Sequence, residues 1–170
     1  MFLKNIKNKS KKFIITPFKV RILTGGVFMK VKELMTKSVA TLNENDTVEQ
    51  AAHLMNEHNI GSLPICQGEK VIGIITDRDI ALRSVAEGEN YKSQNVRTVM
   101  TSNPVVGHPE MEVQDAARIM SERQIRRLPI VENQNLVGMV SLGDIAVENN
   151  LSDKAQAALQ NISEPCSPHI

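Results

Sequence analysis

The stretch VKELMT at residues 31–36 returns as VRTVMT at residues 96–101, which places Met35 and Met100 65 positions apart. The same spacing holds without a gap along the chain. It takes LPI at 63–65 to LPI at 128–130, and DIA at 79–81 to DIA at 144–146. Chance does not keep one register over such a distance, so the chain contains one structural unit twice.

Each copy predicts the element order β-α-β-β-α. In the first copy an extended piece at 38–42 precedes a helix that Thr47 caps, with Gln50 completing a capping box. This helix has an apolar stripe at i, i+3, i+4 and i+7, formed by Val48, Ala51, Ala52 and Met55. Strands at 63–66 and 71–76 and a helix over 79–85 follow. The second copy predicts the same elements at 113–120, 128–131, 136–141 and 145–149.

A unit of roughly 55 residues buries little surface and leaves one sheet face uncovered. We therefore expect an α+β (α/β) fold in which two repeats cover each other's sheets as a pseudo-twofold pair. The predicted domains are residues 29–88 and 96–150, separated by a polar linker at 89–95. Residues 151–170 predict a short tail helix, 151–162, and a frayed end.

The amino-acid composition disfavours nucleic acid as a binding partner. The chain is 41% hydrophobic and 23% charged, as in soluble globular proteins, but only 3% aromatic, which leaves few stacking platforms for single-stranded nucleic acid. Residues 1–28 carry seven of the 20 basic side chains and no acid, so the remainder has 13 basic against 19 acidic residues, a net charge of −6. An acidic folded part does not predict binding to a phosphate backbone.

Cysteine spacing and hydropathy predict the compartment. Cys66 and Cys166 form no CxxC pair, which is typical of a reducing environment. No stretch approaches the roughly 18 apolar residues that span a membrane. We expect a cytoplasmic protein without a membrane partner.

Residues 1–28 allow two interpretations. In the first, they form a basic arm that binds nucleic acid or an anionic membrane. In the second, they are a disordered or mis-called leader, and Met29 is the true start. Gly25-Gly26 just before Met29 matches the purine-rich codons of a ribosome-binding site and favours the second. The intact mass of the natively expressed protein decides between them, since a species that begins at Met1 excludes the leader hypothesis.

Catalytic and metal-binding signatures are missing from the sequence. There is no P-loop, G-x-G-x-x-G, G-x-S-x-G or H-E-x-x-H motif. His53 and His58 are five residues apart, so they do not share a helix face as metal ligands would. Cys66 aligns with Val131 and is interpreted as a small buried hydrophobe. The sequence predicts no enzyme, no metal site and no required cofactor.

Polar residues end the second strand of each copy. Thr76 and Asp79 in the first copy correspond to Ser141 and Asp144 in the second. One interpretation is helix capping by the hydroxyl, with the carboxylate in the first turn. The other is a nucleotide site, in which the helix start attracts phosphate and the carboxylate accepts from ribose hydroxyls.

Over residues 31–149 the chain resembles the cystathionine-β-synthase (CBS) domain family. The resemblance rests on the repeat, on the Gly-x-x-Thr/Ser-x-x-Asp pattern at the strand ends, and on the strands IGSLP at 60–64 and IRRLP at 125–129. The likeness is strongest to small bacterial proteins made of one CBS pair, or Bateman module. It implies clefts between the copies that hold AMP, ADP, ATP or S-adenosylmethionine. It also implies a flat homodimer.

The resemblance implies two unequal clefts. In the first, Asp79 holds the ribose, Val105 lies near the adenine and two arginines reach phosphate; the set is Thr76, Asp79, Val105, Arg126 and Arg127. The second comprises Ser141, Asp144, Val39, Gly61 and Ser62. Because Gly61-Ser62 replaces the arginine pair there, a phosphorylated nucleotide is expected in the Asp79 cleft, and a less charged ligand or none in the Asp144 cleft. A solvated or salt-bridged surface is the alternative interpretation of Arg126-Arg127.

The expected function is a non-catalytic regulatory module that senses an adenosine-containing ligand for an unknown regulated protein. One alternative is a ligand-free dimeric interaction scaffold. A weaker one is nucleic-acid binding through the basic residues 1–28.

Overall fold

The computed structural model describes residues 29–148 and 150–164, so the predictions for residues 1–28, Asn149 and residues 165–170 lie outside the described part of the chain. The elements in chain order are α1 (Val31–Leu34), β1 (Leu42–Asn43), α2 (Val48–His58), β2 (Ser62–Gln67), β3 (Lys70–Thr76), α3 (Asp77–Ile80), β4 (Thr101–Ser102), α4 (Val113–Glu122), β5 (Arg127–Glu132), β6 (Asn135–Ser141), α5 (Leu142–Val147) and α6 (Ser152–Ser163). A π-helical turn, Ala81–Val85, continues α3, and a 3-10 turn, Val96–Thr98, precedes β4.

Two antiparallel hairpins form the frame of the sheet. β2 pairs with β3, β5 pairs with β6, and both hairpins shift register at equivalent places in the repeat, after Ile65 and after Ile130. The strand order is β1-β2-β3-β6-β5, with β4 also paired to β3. The hairpins meet through Lys70 and Asn135. The structure therefore confirms two β-α-β-β-α units arranged as a pseudo-twofold pair.

The first helix of each repeat begins where the sequence predicts, at Val48 and Val113, but α4 runs two residues past the predicted end at 120, to Glu122. The Thr47–Gln50 capping box is present, with the Gln50 side chain accepting from the Thr47 amide at 2.7 Å. Asn59 ends α2 in the left-handed conformation (φ 51°), and Gln124 does the same after α4 (φ 51°). The chain then turns directly into β2 or β5, so residues 60–62 and 125–127 lie at equivalent strand starts.

The second helix of each repeat starts earlier than predicted. The sequence places the starts near Asp79 and Ile145, whereas the helices begin at Asp77 and Leu142 because Thr76 and Ser141 cap them. The cap positions bring the carboxylates of Asp79 and Asp144 to the third residue of each helix. They therefore lie at the ends of β3 and β6, where the two repeats face each other.

The two copies of the repeat exchange their first segments, residues 31–36 and 96–101. Val31, which opens the first copy, is fully buried in the core of the second, together with residues such as Leu128 and Ile145. Val96 and Val99, in the first segment of the second copy, are buried in the core of the first. Backbone hydrogen bonds from Val31 and Lys32 to Met111 and Pro109, both 3.0 Å, fasten α1 to the second repeat.

Two glycines make the exchange possible. A Cβ atom built at Gly138 of β6 would lie 2.6 Å from the sulfur of Met35 and 3.1 Å from the carbonyl oxygen of Thr36. A Cβ atom at Gly73 of β3 would overlap Met100 in the same way. The repeated Met-Thr pairs therefore pack directly on glycine backbone of the opposite repeat.

The tail helix α6 covers the second repeat alone. It packs on α4 and α5 and buries Ala155 and Ala158. The predicted apolar stripe of α2 is correct for Val48, Ala51 and Met55, but Ala52 is exposed. Its counterpart Ala117 is only 3% exposed, because α6 lies over the equivalent face of α4.

Candidate functional site

The hydroxyl and carboxylate at each strand end form the same capping box. Thr76 donates from its amide (2.9 Å) and its hydroxyl (2.7 Å) to Oδ2 of Asp79, and the Asp79 amide donates back to the hydroxyl. Ser141 and Asp144 repeat this geometry, with both donors 2.8 Å from Oδ2. Capping therefore uses one carboxylate oxygen in each repeat and leaves Oδ1 for another partner.

The partner of Oδ1 distinguishes the two repeats. Arg83 on the π-helical turn lies 3.4 Å from Oδ1 of Asp79, and the same guanidinium nitrogen donates to the carbonyl of Val99 at 2.7 Å. The residue 65 positions after Arg83 is Glu148, which cannot pair with Asp144. Among residues 29–148 and 150–164, Oδ1 of Asp144 has no hydrogen-bond or ion-pair partner.

Asp144 opens onto a cleft of about 670 Å³ between the two repeats. Its lining comes from residues 36–40, the end of α2, the starts of β2 and β5, the end of β6 and the first turn of α5. These residues are Thr36, Ser38, Val39, Ala40, His58, Asn59, Ile60, Ser62, Arg127, Met139, Ser141 and Asp144. Four residues predicted for this cleft, Val39, Ser62, Ser141 and Asp144, are thus brought together. The volume is that of a small-molecule site.

Gly61, which the sequence also assigns to this cleft, is not among its lining residues. Its carbonyl accepts from the Asp77 amide at 3.1 Å. A Cβ atom at Gly61 would lie 2.9 Å from the Asp77 carboxylate and 3.6 Å from Nη2 of Arg127. The glycine therefore leaves room for these two charged side chains at the boundary of the repeats.

The structure differs from the expectation at Arg127. The sequence assigns this residue to the Asp79 cleft and predicts no arginine beside Asp144, whereas the half-buried Arg127 lines the Asp144 cleft. The reason is its place at the start of β5, equivalent to Ser62 at the start of β2. The two strand starts lie at the boundary between the repeats, so a long side chain from one reaches the cleft of the other.

Arg126 lines a second cavity, a groove of about 600 Å³ beside α5 and α6. The groove lining is Asp77, Arg126, Arg127, Ser141, Leu142, Gly143, Ala146, Ser152, Ala155, Gln156 and Leu159. Arg127 and Ser141 line both cavities. The groove and the Asp144 cleft therefore adjoin at these two residues.

Asp79, which is predicted for the other cleft, has more contacts within the protein than Asp144 has. Asp79 is bound by Thr76 and Arg83, and its side chain is 15% exposed. Val105 is partly buried against the core of the second repeat. An incoming ribose would have to compete with the Arg83 guanidinium for Asp79.

Several lining residues were missed by the sequence analysis, although the repeat contained the signal for one. The 65-residue offset pairs Val105 with Ala40, which lines the cleft beside Val39. Ile60 and Met139 were interpreted only as strand residues. Their place in the lining depends on how the repeats dock, which no local pattern encodes.

Cysteine and metal chemistry find no support in the described chain. Cys66 is buried, and this burial raises the pKa of its thiol, as expected of a packing residue. Residues 29–148 and 150–164 contain no group of three or more His, Cys, Asp or Glu side chains placed to hold a metal ion. No helix in the same ranges is both long and apolar enough to cross a membrane.

Comparisons with known proteins agree with this architecture. The CBS domain family model matches residues 31–85 and 96–148, so the chain belongs to the CBS-domain family. It is 47% identical to the CBS domain-containing protein YhcV of Bacillus subtilis over 133 residues, which are 78% of this chain and 94% of that protein.

Two solved structures are similar in fold. Hypoxic Response Protein I, solved with two coordinated zinc ions, has a TM-score of 0.66 and 30% identity, covering 71% of this chain and 98% of that one. The CBS domain pair of protein MJ0100, solved with 5′-methylthioadenosine and S-adenosyl-L-methionine, has a TM-score of 0.64 and 31% identity, covering 70% and 94%. The chain is thus a CBS-domain pair, a class of module that is generally regulatory and ligand-binding and not catalytic.

Proposed function

We propose that this chain is a cytoplasmic regulatory module that binds an adenosine-type ligand in the Asp144 cleft. The observation that carries the proposal is Asp144, which lines a cleft of about 670 Å³ and whose Oδ1 has no partner among the described residues. A carboxylate in this position can accept hydrogen bonds from both ribose hydroxyls. The ligands of the MJ0100 domain pair, both adenosine compounds, support the same class of ligand here.

The cleft offers a complementary partner to each part of such a ligand. Ala40, Ile60 and Met139 supply apolar surface for an adenine. Ser62 and the Asp144 carboxylate supply polar groups at the strand ends. Arg127 supplies a guanidinium that suits phosphate oxygens. This choice of cleft reverses the preference inferred from the sequence, because Arg83 pairs with Asp79 and Arg127 lines the Asp144 side.

A homodimer is the assembly we propose for this module. Leu82 and Val85, on the π-helical turn of the first repeat, are 51% and 66% exposed. Ala52 of α2 is exposed as well, whereas its counterpart Ala117 is only 3% exposed under α6; Val147, the counterpart of Leu82, is 78% exposed. The exposed apolar side chains of the first repeat are available to a second copy, and sedimentation velocity showing a monomer at micromolar concentration would contradict this.

A thermal-shift panel tests the function. We expect one of AMP, ADP, ATP or S-adenosylmethionine to raise the melting temperature of the full chain, because a ligand at a hundredfold excess over Kd stabilises the folded state by about 2.7 kcal/mol. NADH and cyclic dinucleotides serve as comparison ligands. No shift with any adenosine compound would favour a ligand-free scaffold that acts through its dimer surface.

Removing Arg83 should open the second cleft. In Arg83→Ala, Oδ1 of Asp79 loses its ion-pair partner and becomes available to a ribose. We expect isothermal titration to change from one ligand per chain to two. Arg78→Ala, which removes an exposed charge from the same segment, is the control and should keep one. An unchanged stoichiometry in Arg83→Ala would show that Arg83 does not distinguish the clefts.

A further inference from the structure

The tail helix α6 makes the helical surfaces of the two repeats unequal. It packs on α4 and α5 of the second repeat, where Ala117 is buried. Ala52, the equivalent residue of α2, is exposed, as is Leu82 on the π-helical turn. α6 lies beyond residue 148, where the match to the family model ends. The helical surface is therefore covered along α4 in the second repeat and open along α2 in the first.

The two helical surfaces carry the same kind of side chain. Apolar residues stand at three positions of each, related by the 65-residue offset: Ala52, Ala81 and Leu82 in the first repeat, and Ala117, Ala146 and Val147 in the second. The helices beneath them are also equivalent, since α2 begins at Val48 and α4 at Val113. A protein surface that packs on α2 therefore fits α4 as well, once α6 has left it.

Few contacts attach α6 to this surface. The buried residues within the helix are Ala155 and Ala158, and an alanine side chain buries little apolar area. Asn161 donates to the Ser121 hydroxyl at 2.7 Å, and its carbonyl accepts from the Gln124 side chain at 3.4 Å. No ion pair joins α6 to the second repeat within the ranges 29–148 and 150–164. A groove of about 600 Å³ remains between α5 and α6, so the helix covers the surface without filling it.

We propose that α6 is an autoinhibitory cap on self-association. It occupies, within one chain, the helical surface of the second repeat on which a second copy of the chain would otherwise pack. A second copy is the competitor because the matching surface of the first repeat is the one proposed for the homodimer. The inference rests on that homodimer and adds the element that restricts it to the first repeat.

Two glutamate substitutions one residue apart test the cap. Ala158→Glu places a charge in the buried contact between α6 and the second repeat, and should release the helix. Ala157→Glu places the same charge on the exposed side of α6 and is the matched control. Sedimentation velocity of the full chain over a concentration series measures self-association. We expect Ala158→Glu to associate at about tenfold lower concentration than the wild type, because removing a competing internal contact raises the apparent affinity of a surface. Ala157→Glu should match the wild type.

A second charge on the uncovered surface shows whether the added association is specific. Ala117→Glu in the Ala158→Glu background should return association to the wild-type level. Hydrogen exchange in Ala158→Glu should be faster in residues 152–163 and unchanged in β5 and β6, as expected if the second repeat stays folded.

Two results would overturn the cap. One is association of Ala158→Glu equal to that of Ala157→Glu, and the other is added association that persists with Ala117→Glu. A monomeric wild type would contradict the proposed homodimer alone, since a gain of association in Ala158→Glu would still support the cap.

Discussion

Asp144→Ala is expected to weaken binding of the adenosine ligand by at least about a hundredfold. The variant removes a carboxylate oxygen that would accept from two ribose hydroxyls. Hydrogen bonds to a charged group contribute roughly 1.5–3 kcal/mol each, and about 1.4 kcal/mol is a factor of ten in affinity. Isothermal titration with the ligand that gives the thermal shift measures the loss. Circular dichroism establishes that the variant is folded.

Two further variants show whether the loss of affinity comes from the charge of Asp144 and whether it is specific to this cleft. Asp144→Asn keeps an oxygen that can accept from the Ser141 amide, so it preserves the cap while removing the charge, and it should also bind weakly. Asp79→Asn makes the matched change in the other repeat, where Arg83 already pairs with the carboxylate, and should leave the affinity nearly unchanged. Equal losses in the two asparagine variants would show that the clefts are equivalent.

Val31→Asp is expected to destabilise the protein by about 3–5 kcal/mol, because it leaves an unpaired charge in a core. Val31 is fully buried and belongs to the core of the second repeat, although it opens the first copy. Chemical denaturation measures the change. Val106→Asp, at a valine that is 40% exposed, introduces the same charge with little expected effect.

We also predict which part of the fold Val31→Asp destabilises first. Hydrogen exchange in Val31→Asp should show loss of protection first in β5 and β6 of the second repeat. β2 and β3, whose core contains Val96 and Val99 instead, should keep theirs longer. Loss of protection first in β2 and β3 would contradict the exchange of segments.

Much of this fold follows from the repeat alone. The 65-residue offset predicts two equivalent hairpins, and both register shifts lie at positions related by it. The Thr47 capping box was predictable because it depends on residues three positions apart. The exposure of Ala52 was not, since it depends on α6 covering one repeat and not the other.

In the candidate site, too, the features set by short sequence motifs were predictable, and those set by the packing of the two repeats were not. The paired hydroxyls and carboxylates at the strand ends were recognisable from the motif. Assigning Arg127 to a cleft required the docking of the two repeats, because its side chain starts at their boundary. Arg83 was overlooked although it stands four residues after Asp79 on a predicted helix, which is the spacing of an i,i+4 ion pair.

A crystal structure of the full chain with ATP distinguishes the two clefts in one experiment. We expect ribose density on Asp144, adenine among Ala40, Ile60 and Met139, and phosphates extending past Arg127. Ligand density at Asp79, with the Asp144 cleft vacant, would rule out the Asp144 cleft as the binding site.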